Sequence, residues 1–199
     1  AAVTRLTYLD LVEFKDDEAK VAGLAVAFLE GRFLPLVGIV SSVGINNPPA
    51  FVYLMAIPLA INRDPAVATG FIGLLGVGAV LLCYWFCVQH FDRRTAQVAA
   101  LLFAAAPWAV VFSRKIQAQD VLPFFTLLFM GSLFGLVGGR GHYHLLGVAL
   151  WLNVLIQLHL ASIALIPLTV LALLFSWSYL QWRWILAIVL LTVVLLLSY

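Results

Sequence analysis

The stretch "NPPAFVYLMAIPLAIN", residues 47 to 62, decides how the chain is laid out. Its apolar part is roughly 13 residues long, and Pro58 interrupts it. An α-helix rises about 1.5 Å per residue and a bilayer core is about 30 Å thick, so this segment is too short to cross. It reads as an interfacial or re-entrant helix. Residues 17 to 30, "DEAKVAGLAVAFLE", read as an amphipathic surface helix: acids open the segment, apolar residues recur and "EGR" closes it.

Composition sets these two segments in context. Of 199 residues, 64% are hydrophobic and 10% are charged, and the mean hydropathy is +1.09. Soluble domains carry about 25% charged residues. Apolar runs of spanning length occupy Ala66–Gln89, Thr95–Phe112, Val121–Gly138 and Ile185–Tyr199. The run from Tyr143 to Trp177 exceeds the about 20 residues that one crossing needs. "QLH", Gln157 to His159, divides it into two helices, the second carrying Pro167. The expected fold is therefore all-α: a polytopic transmembrane helical bundle with juxtamembrane helices in its first outer loop. Residues 1–65 form that loop and residues 66–199 form about six transmembrane helices. The chain reads as a piece of a longer membrane protein.

A net charge of +2 spread over short loops implies no nucleic-acid partner. Cys83 and Cys87, at i, i+4 in one apolar run, read as small buried hydrophobes, since no further Cys or nearby His completes a metal site. His142 and His144 form an H-x-H pair, which alone is poor evidence for a metal.

If residues 49 to 61 do not cross, the acidic stretch "FKDDEAK" (14 to 20) and "SRKIQAQD" (113 to 120) share one side. The loops "FDRR", "GGRGHYH" and "SYLQWRW" then share the other, with four Lys/Arg and one acid. The outer side has comparable Lys/Arg and eight acids, so the positive-inside count by itself does not fix the orientation. Length and Pro58 favour the arrangement without a crossing.

The polar residues of that outer side carry the chemistry. Asp16, Asp17 and Glu18 could be no more than a solvated helix start, where carboxylates meet the positive end of the helix dipole. Flanked by Lys15 and Lys20, they could equally supply a general base beside a cation, with Lys20 sharing a face with Asp17. Arg114 and Lys115 could be interfacial anchors or a clamp on a lipid phosphate. Asp120 is a second carboxylate at a helix start. "NNPP", Asn46 to Pro49, could be a turn entering a surface helix. His159, an ionisable group inside an apolar run, could be a hydrogen-bonded packing residue or, since intramembrane ionisable groups point to function, a functional one.

"DDEA", "EGRF", "NNPP" before an apolar stretch, "FDRRTAQVAALLFAAAPWAVVFSRKIQAQD" and "QLHLAS", in that order, resemble the membrane glycosyltransferases of the GT-C superfamily. The similarity is to family 39, the dolichyl-phosphate-mannose protein mannosyltransferases and lipid A aminoarabinose transferases, and spans about residues 10 to 175. The resemblance implies a polyprenyl-phosphate sugar donor and no nucleotide sugar. It implies a lipid, glycan or protein acceptor at the outer face of the cell membrane. It matches Asp17 and Glu18 to the family's acidic pair, Asp120 to a second carboxylate, and the segment after the Pro-Pro motif to a juxtamembrane helix. Where aminoarabinose transferases carry an Arg three residues after the Asp, this chain has Lys20. Where they carry a Lys before the Pro motif, it has Asn47.

The reaction implied has Asp17 taking the proton of an acceptor hydroxyl as that oxygen attacks the anomeric carbon, with inversion. The leaving phosphate is stabilised by Lys20, Arg114 or Lys115; Asn47 and His159 contact substrate. No cofactor is expected, although Asp17, Glu18 and Asp120 are a set that could hold a divalent metal. The rival readings are a proton-coupled transporter relaying through Asp17, Asp120 and His159, and a non-catalytic membrane scaffold.

Overall fold

A computed structural model of the chain describes residues 1–9, 14–41, 44–177 and 181–196. Among these residues the secondary structure is helical, apart from one isolated antiparallel bridge between Val40 and Asn46. The helices are α1 (Ala2–Leu6), α2 (Asp16–Leu29), α3 (Ala50–Ile61), α4 (Pro65–His90) and α5 (Arg93–Ala105). They continue with α6 (Pro107–Phe112), α7 (Ala118–Val137), α8 (Tyr143–Leu158), α9 (Ile166–Ser176) and α10 (Trp182–Leu196). Residues 178–180 of the "SYLQWRW" loop and 197–199 of the terminal run lie outside the described residues.

Local chemistry explains the boundaries. The Asp64 side chain accepts the Ala66 N–H at 2.9 Å and Pro65 takes the first helical position, where no N–H is needed. Asp92 caps α5 by accepting from the Arg94 and Thr95 amides at 2.8 and 3.0 Å. The Thr95 hydroxyl donates to the same carboxylate, and these bonds hold Asp92 below its ordinary pKa. The division at "QLH" is observed: α8 stops at Leu158, His159 is extended, and a 3₁₀ turn, Leu160–Leu165, leads into α9 with Pro167 in its first turn.

Two expectations need correction. The run Thr95–Phe112 is not one helix, because Pro107 divides it into α5 and α6. Proline has no N–H, and it forces the residue before it out of the helical region; Ala106 has φ −57° and ψ 118°. Pro58, in contrast, does not interrupt its segment. α3 runs through it to Ile61, and the Asn62 N–H donates to the Pro58 carbonyl at 3.2 Å. Proline there removes only the bond to the Leu54 carbonyl, close to the helix end, while the buried Pro58 and Leu59 keep their packing.

Two helices are long and apolar enough to cross a membrane, α4 with 26 residues and α7 with 20. Of the other expected crossings, α8 has 16 residues, α9 has 11, α10 has 15, and α5 has 13. At 12 residues, α3 is about 18 Å long, well short of a bilayer core.

α2 and α3 pack on each other and on one end of the α4, α7 and α8 group. Val21, Ala25, Phe51, Val52, Met55 and Leu59 form a core there with Ile72, Ile116, Val121 and Leu158. A second core joins α7, α8 and α9 through Phe129, Leu133, Leu145, Val148, Leu155 and Ala172. α1 lies directly against α4. A Cβ on Gly73 would sit 2.9 Å from the Arg5 carbonyl oxygen, so only glycine permits that approach.

The break at Pro107 strips the Phe103 carbonyl of its helical donor. Arg5, fully buried, supplies one from about a hundred residues away: Nη2 donates to the Phe103 oxygen at 3.1 Å and Nη1 to the Ala104 oxygen at 3.0 Å. Losing both bonds by Arg5→Leu should destabilise the protein by about 1–3 kcal/mol. In a Pro107→Ala background the new amide serves the Phe103 carbonyl, so the same substitution should cost less. Thermal unfolding of the four proteins of this cycle measures that coupling.

Candidate functional site

The three consecutive acids at the start of α2 meet three different surroundings, because neighbouring helical positions point about 100° apart. Asp16 is ion-paired with Lys20 one turn on, and that hydrogen bond and charge raise the Lys20 ammonium above its ordinary pKa. Asp17 is exposed at the helix start and lines two openings in the surface. Glu18 turns inward and is buried. Its Oε2 accepts the Lys15 N–H at 2.8 Å, while its Oε1 has no hydrogen-bond partner among the described residues.

The loop between α2 and α3 folds back beside Asp17. The Gly38 N–H donates to the Asn47 carbonyl at 2.7 Å, and the Asn47 N–H donates to the Ile39 carbonyl at 3.0 Å. Asn47 Nδ2 reaches the same Ile39 oxygen at 3.2 Å, and its buried Oδ1 is left without a partner among the described residues. A Cβ on Gly38 would come within 2.7 Å of the Pro48 carbonyl, so the hairpin closes only around glycine.

The third wall is the segment between α6 and α7. Arg114 Nη2 donates to the Thr7 and Tyr8 carbonyls at 2.8 and 2.7 Å, tying this segment to the end of α1. Lys115 Nζ stands over the Phe112 ring, 5.8 Å from its centre. Asp120, in the first turn of α7, is 7% exposed, and its Oδ2 has no hydrogen-bond partner among the described residues. Lys115 and Glu18 are its charged neighbours within electrostatic range. The fourth wall is His159, whose Nδ1 accepts the Ala161 N–H at 3.3 Å.

These walls enclose a cavity of about 470 Å³ lined by Asp17, Asn47, Gln117, Gln119 and His159, with Gly38 to Ser41 on one side. A second opening, of about 400 Å³, places Lys20 on the other side of Asp17. The cavity sits where α7 begins and α8 ends, walled also by the starts of α2 and α3.

The structure thus brings Asp17, Asn47 and His159 together. It sets the buried Glu18 and Asp120 within electrostatic range of each other and of the half-buried Lys115, with Asp120 lining a different cavity from Asp17. Lys20 is at the far opening and paired, and the Nη2 of Arg114 is committed to α1. Among the described residues no group of three His, Cys, Asp or Glu side chains is placed to hold a metal ion. Gln117 and Gln119 are site residues that sequence reasoning passed over, although they alternate inside "SRKIQAQD". Arg5 also escaped it, because its partners lie nearly a hundred residues away and no local pattern marks them.

The chain matches no protein-family model, no curated protein and no solved structure in these comparisons. The geometry of the site therefore stands on this chain alone.

Glu18 separates architecture from chemistry. Glu18→Gln keeps an oxygen for the Lys15 N–H, whereas Glu18→Ala loses it at a cost of about 1 kcal/mol. Hydrogen exchange of the Lys15 amide should quicken about fivefold in the alanine variant and little in the glutamine variant.

Proposed function

We propose that the chain is part of a membrane-embedded glycosyltransferase that moves a sugar from a polyprenyl-phosphate donor to a hydroxyl acceptor at the outer membrane face. One observation carries the reading: a single cavity gathers an exposed carboxylate, Asp17, with the amides of Asn47, Gln117 and Gln119 and with His159. Sugars present many hydroxyls, and amides, which donate and accept at once, are suited to them. The resemblance of "DDEA", "NNPP" and "SRKIQAQD" to family 39 adds the donor class.

In this reading α4 and α7 cross the bilayer, the shorter apolar helices complete a polytopic bundle, and α2 and α3 lie along the outer interface over the cavity. Asp17 is exposed and, among the described residues, forms no salt bridge, unlike Asp16. It accepts the acceptor's proton as the oxygen attacks the anomeric carbon. The leaving phosphate departs toward Lys20 or Lys115, which supply positive charge without a proton transfer. Arg114 acts as a brace, since its Nη2 already serves the Thr7 and Tyr8 carbonyls. The same Asp17 and His159 would also serve a proton relay, so transport is measured beside transfer.

Two outcomes test this. Asp17→Asn in the full-length protein should lower sugar transfer from a labelled lipid-phosphate donor by about 10²–10⁴-fold with folding intact. Asp16→Asn should be much milder, because Asp16 is engaged by Lys20. Near-normal turnover by Asp17→Asn, or substrate flux into liposomes without transfer, would sink the assignment. For topology, cysteines placed at 46 and 63 in a background lacking Cys83 and Cys87 should both label from outside. Labelling of position 63 only from inside would mean that α3 crosses.

A further inference from the structure

Between α2 and α3 the chain turns an apolar edge outward. Phe33, Leu34, Leu36, Val37 and Val40 are each 44 to 62% exposed. The exposure does not come from slack in the backbone. Gly31, at φ 68°, ends α2, and the Gly31 and Arg32 amides donate to the Phe28 and Ala27 carbonyls at 3.0 Å. The carbonyl of the buried Pro35 accepts the Tyr53 hydroxyl at 2.5 Å, and Gly38 is paired with Asn47. The fold therefore holds these large apolar side chains outward, and a contiguous apolar patch of this kind marks a contact surface.

The base of this loop is tied to the start of a long apolar helix. Glu30, the residue after α2, meets Arg32 on one carboxylate oxygen at 2.6 Å and Arg63 on the other. Arg63 stands two residues before Pro65, where α4 begins, and α4 is long and apolar enough to cross a bilayer. Where α4 crosses, Arg63 lies at the level of the lipid head groups, and the knot at Glu30 sets Arg32 there too. Phe33 follows directly. Both arginines are more than half exposed, and two guanidinium groups on one carboxylate leave a positive charge in excess, which suits lipid phosphates. Residues 33 to 37 can span at most about 17 Å, enough to enter a leaflet by the about 5–10 Å usual for interfacial segments.

We propose that residues 33 to 37, with Val40, form an apolar finger seated in the outer leaflet of the bilayer, with Arg32 and Arg63 at the phosphates. Arginines at the level where a membrane helix starts, with apolar side chains next to them, repeat the layering of a leaflet: charge at the head groups and hydrocarbon beneath. The finger runs on into Gly38, Ile39 and Val40, which line both openings beside Asp17. Seated in the leaflet, it keeps those openings at the lipid surface, where a substrate carried on a lipid arrives. The inference rests on the membrane placement within the proposed function and does not need sugar transfer.

The test uses the full-length protein in phosphatidylcholine nanodiscs, in a background lacking Cys83 and Cys87, with a nitroxide attached at single cysteines. Collision of the nitroxide with oxygen, which concentrates in lipid, is compared with collision with a water-soluble nickel chelate. Labels at Leu34→Cys, Leu36→Cys and Val37→Cys should favour oxygen, at a depth of about 5–10 Å below the phosphates. Leu81→Cys, exposed on α4, is the lipid reference, and Arg94→Cys, exposed at the start of α5, is the water reference. A label at Leu81→Cys that behaved like the water reference would overturn the membrane placement of α4, and the finger with it. With that label in lipid, collisions at 34, 36 and 37 dominated by nickel would overturn the finger alone. Labels there that neither collider reaches would overturn it equally, because protein and not lipid would then cover the patch. Three separate positions keep the test decisive should one variant fail to fold.

Discussion

Pro107 can neither donate a hydrogen bond nor let Ala106 stay helical, and much of the observed geometry answers that constraint. The Phe103 and Ala104 carbonyls emerge where α5 stops, and Arg5 reaches them from the other end of the sequence. A few residues past the break, Arg114 reaches back to the Thr7 and Tyr8 carbonyls at the end of α1. Arg5 thus ties α1 to the end of α5 and Arg114 ties the approach to α7 to the end of α1, so together they lash the start of the chain to both sides of α6. Backbone carbonyls left bare in an apolar setting are costly, and two planar, multi-donor side chains meet that need without importing a carboxylate.

The lashing fixes what lies between Arg114 and Asp120. Ile116 enters the core built by α2 and α3, while Gln117 and Gln119 face the cavity that holds Asp17. Asp120 instead lines the neighbouring cavity behind this segment. The run of three acids makes sense in the same frame. Asp16 anchors Lys20, Asp17 is exposed at the rim of the cavity, and Glu18 holds the first turn of α2 from within. One of the three faces the main cavity, and the other two hold its surroundings in place.

How much of this the sequence disclosed follows the range of each interaction. α2, α4, α7 and the break at "QLH" were legible because capping, hydrophobic length and a polar interruption act within a few residues. The joining of Asp17, Asn47 and His159 was only half legible. Each stood out as a polar residue beside an apolar run, but nothing local says that residues 112 positions apart, Asn47 and His159, share a wall. Pro58 misled because its rule is about removing one hydrogen bond, and near a helix end packing outweighs that loss. Pro107 was overlooked because the run around it is apolar, and hydropathy is blind to a missing N–H. Arg5 was hidden for the converse reason: its role is defined wholly by carbonyls that Pro107 sets loose.

Gln119 is where these strands meet. It lines both cavities, the one with Asp17 and the one with Arg5 and Asp120. Its own carbonyl faces Pro123 one turn on, and proline again has no N–H to give it. The first turn of α7 is therefore held less by its own ladder than by what surrounds it: the buried Ile116 before it, Val121 within it, and the clamp at Arg114. A helix start supported from outside can carry a buried carboxylate and a two-sided amide without unwinding, because the surroundings fix it in place of the missing bond. The same imposed geometry separates the cavity that holds Asp17 from the one lined by Arg5 and Asp120, across the width of one side chain.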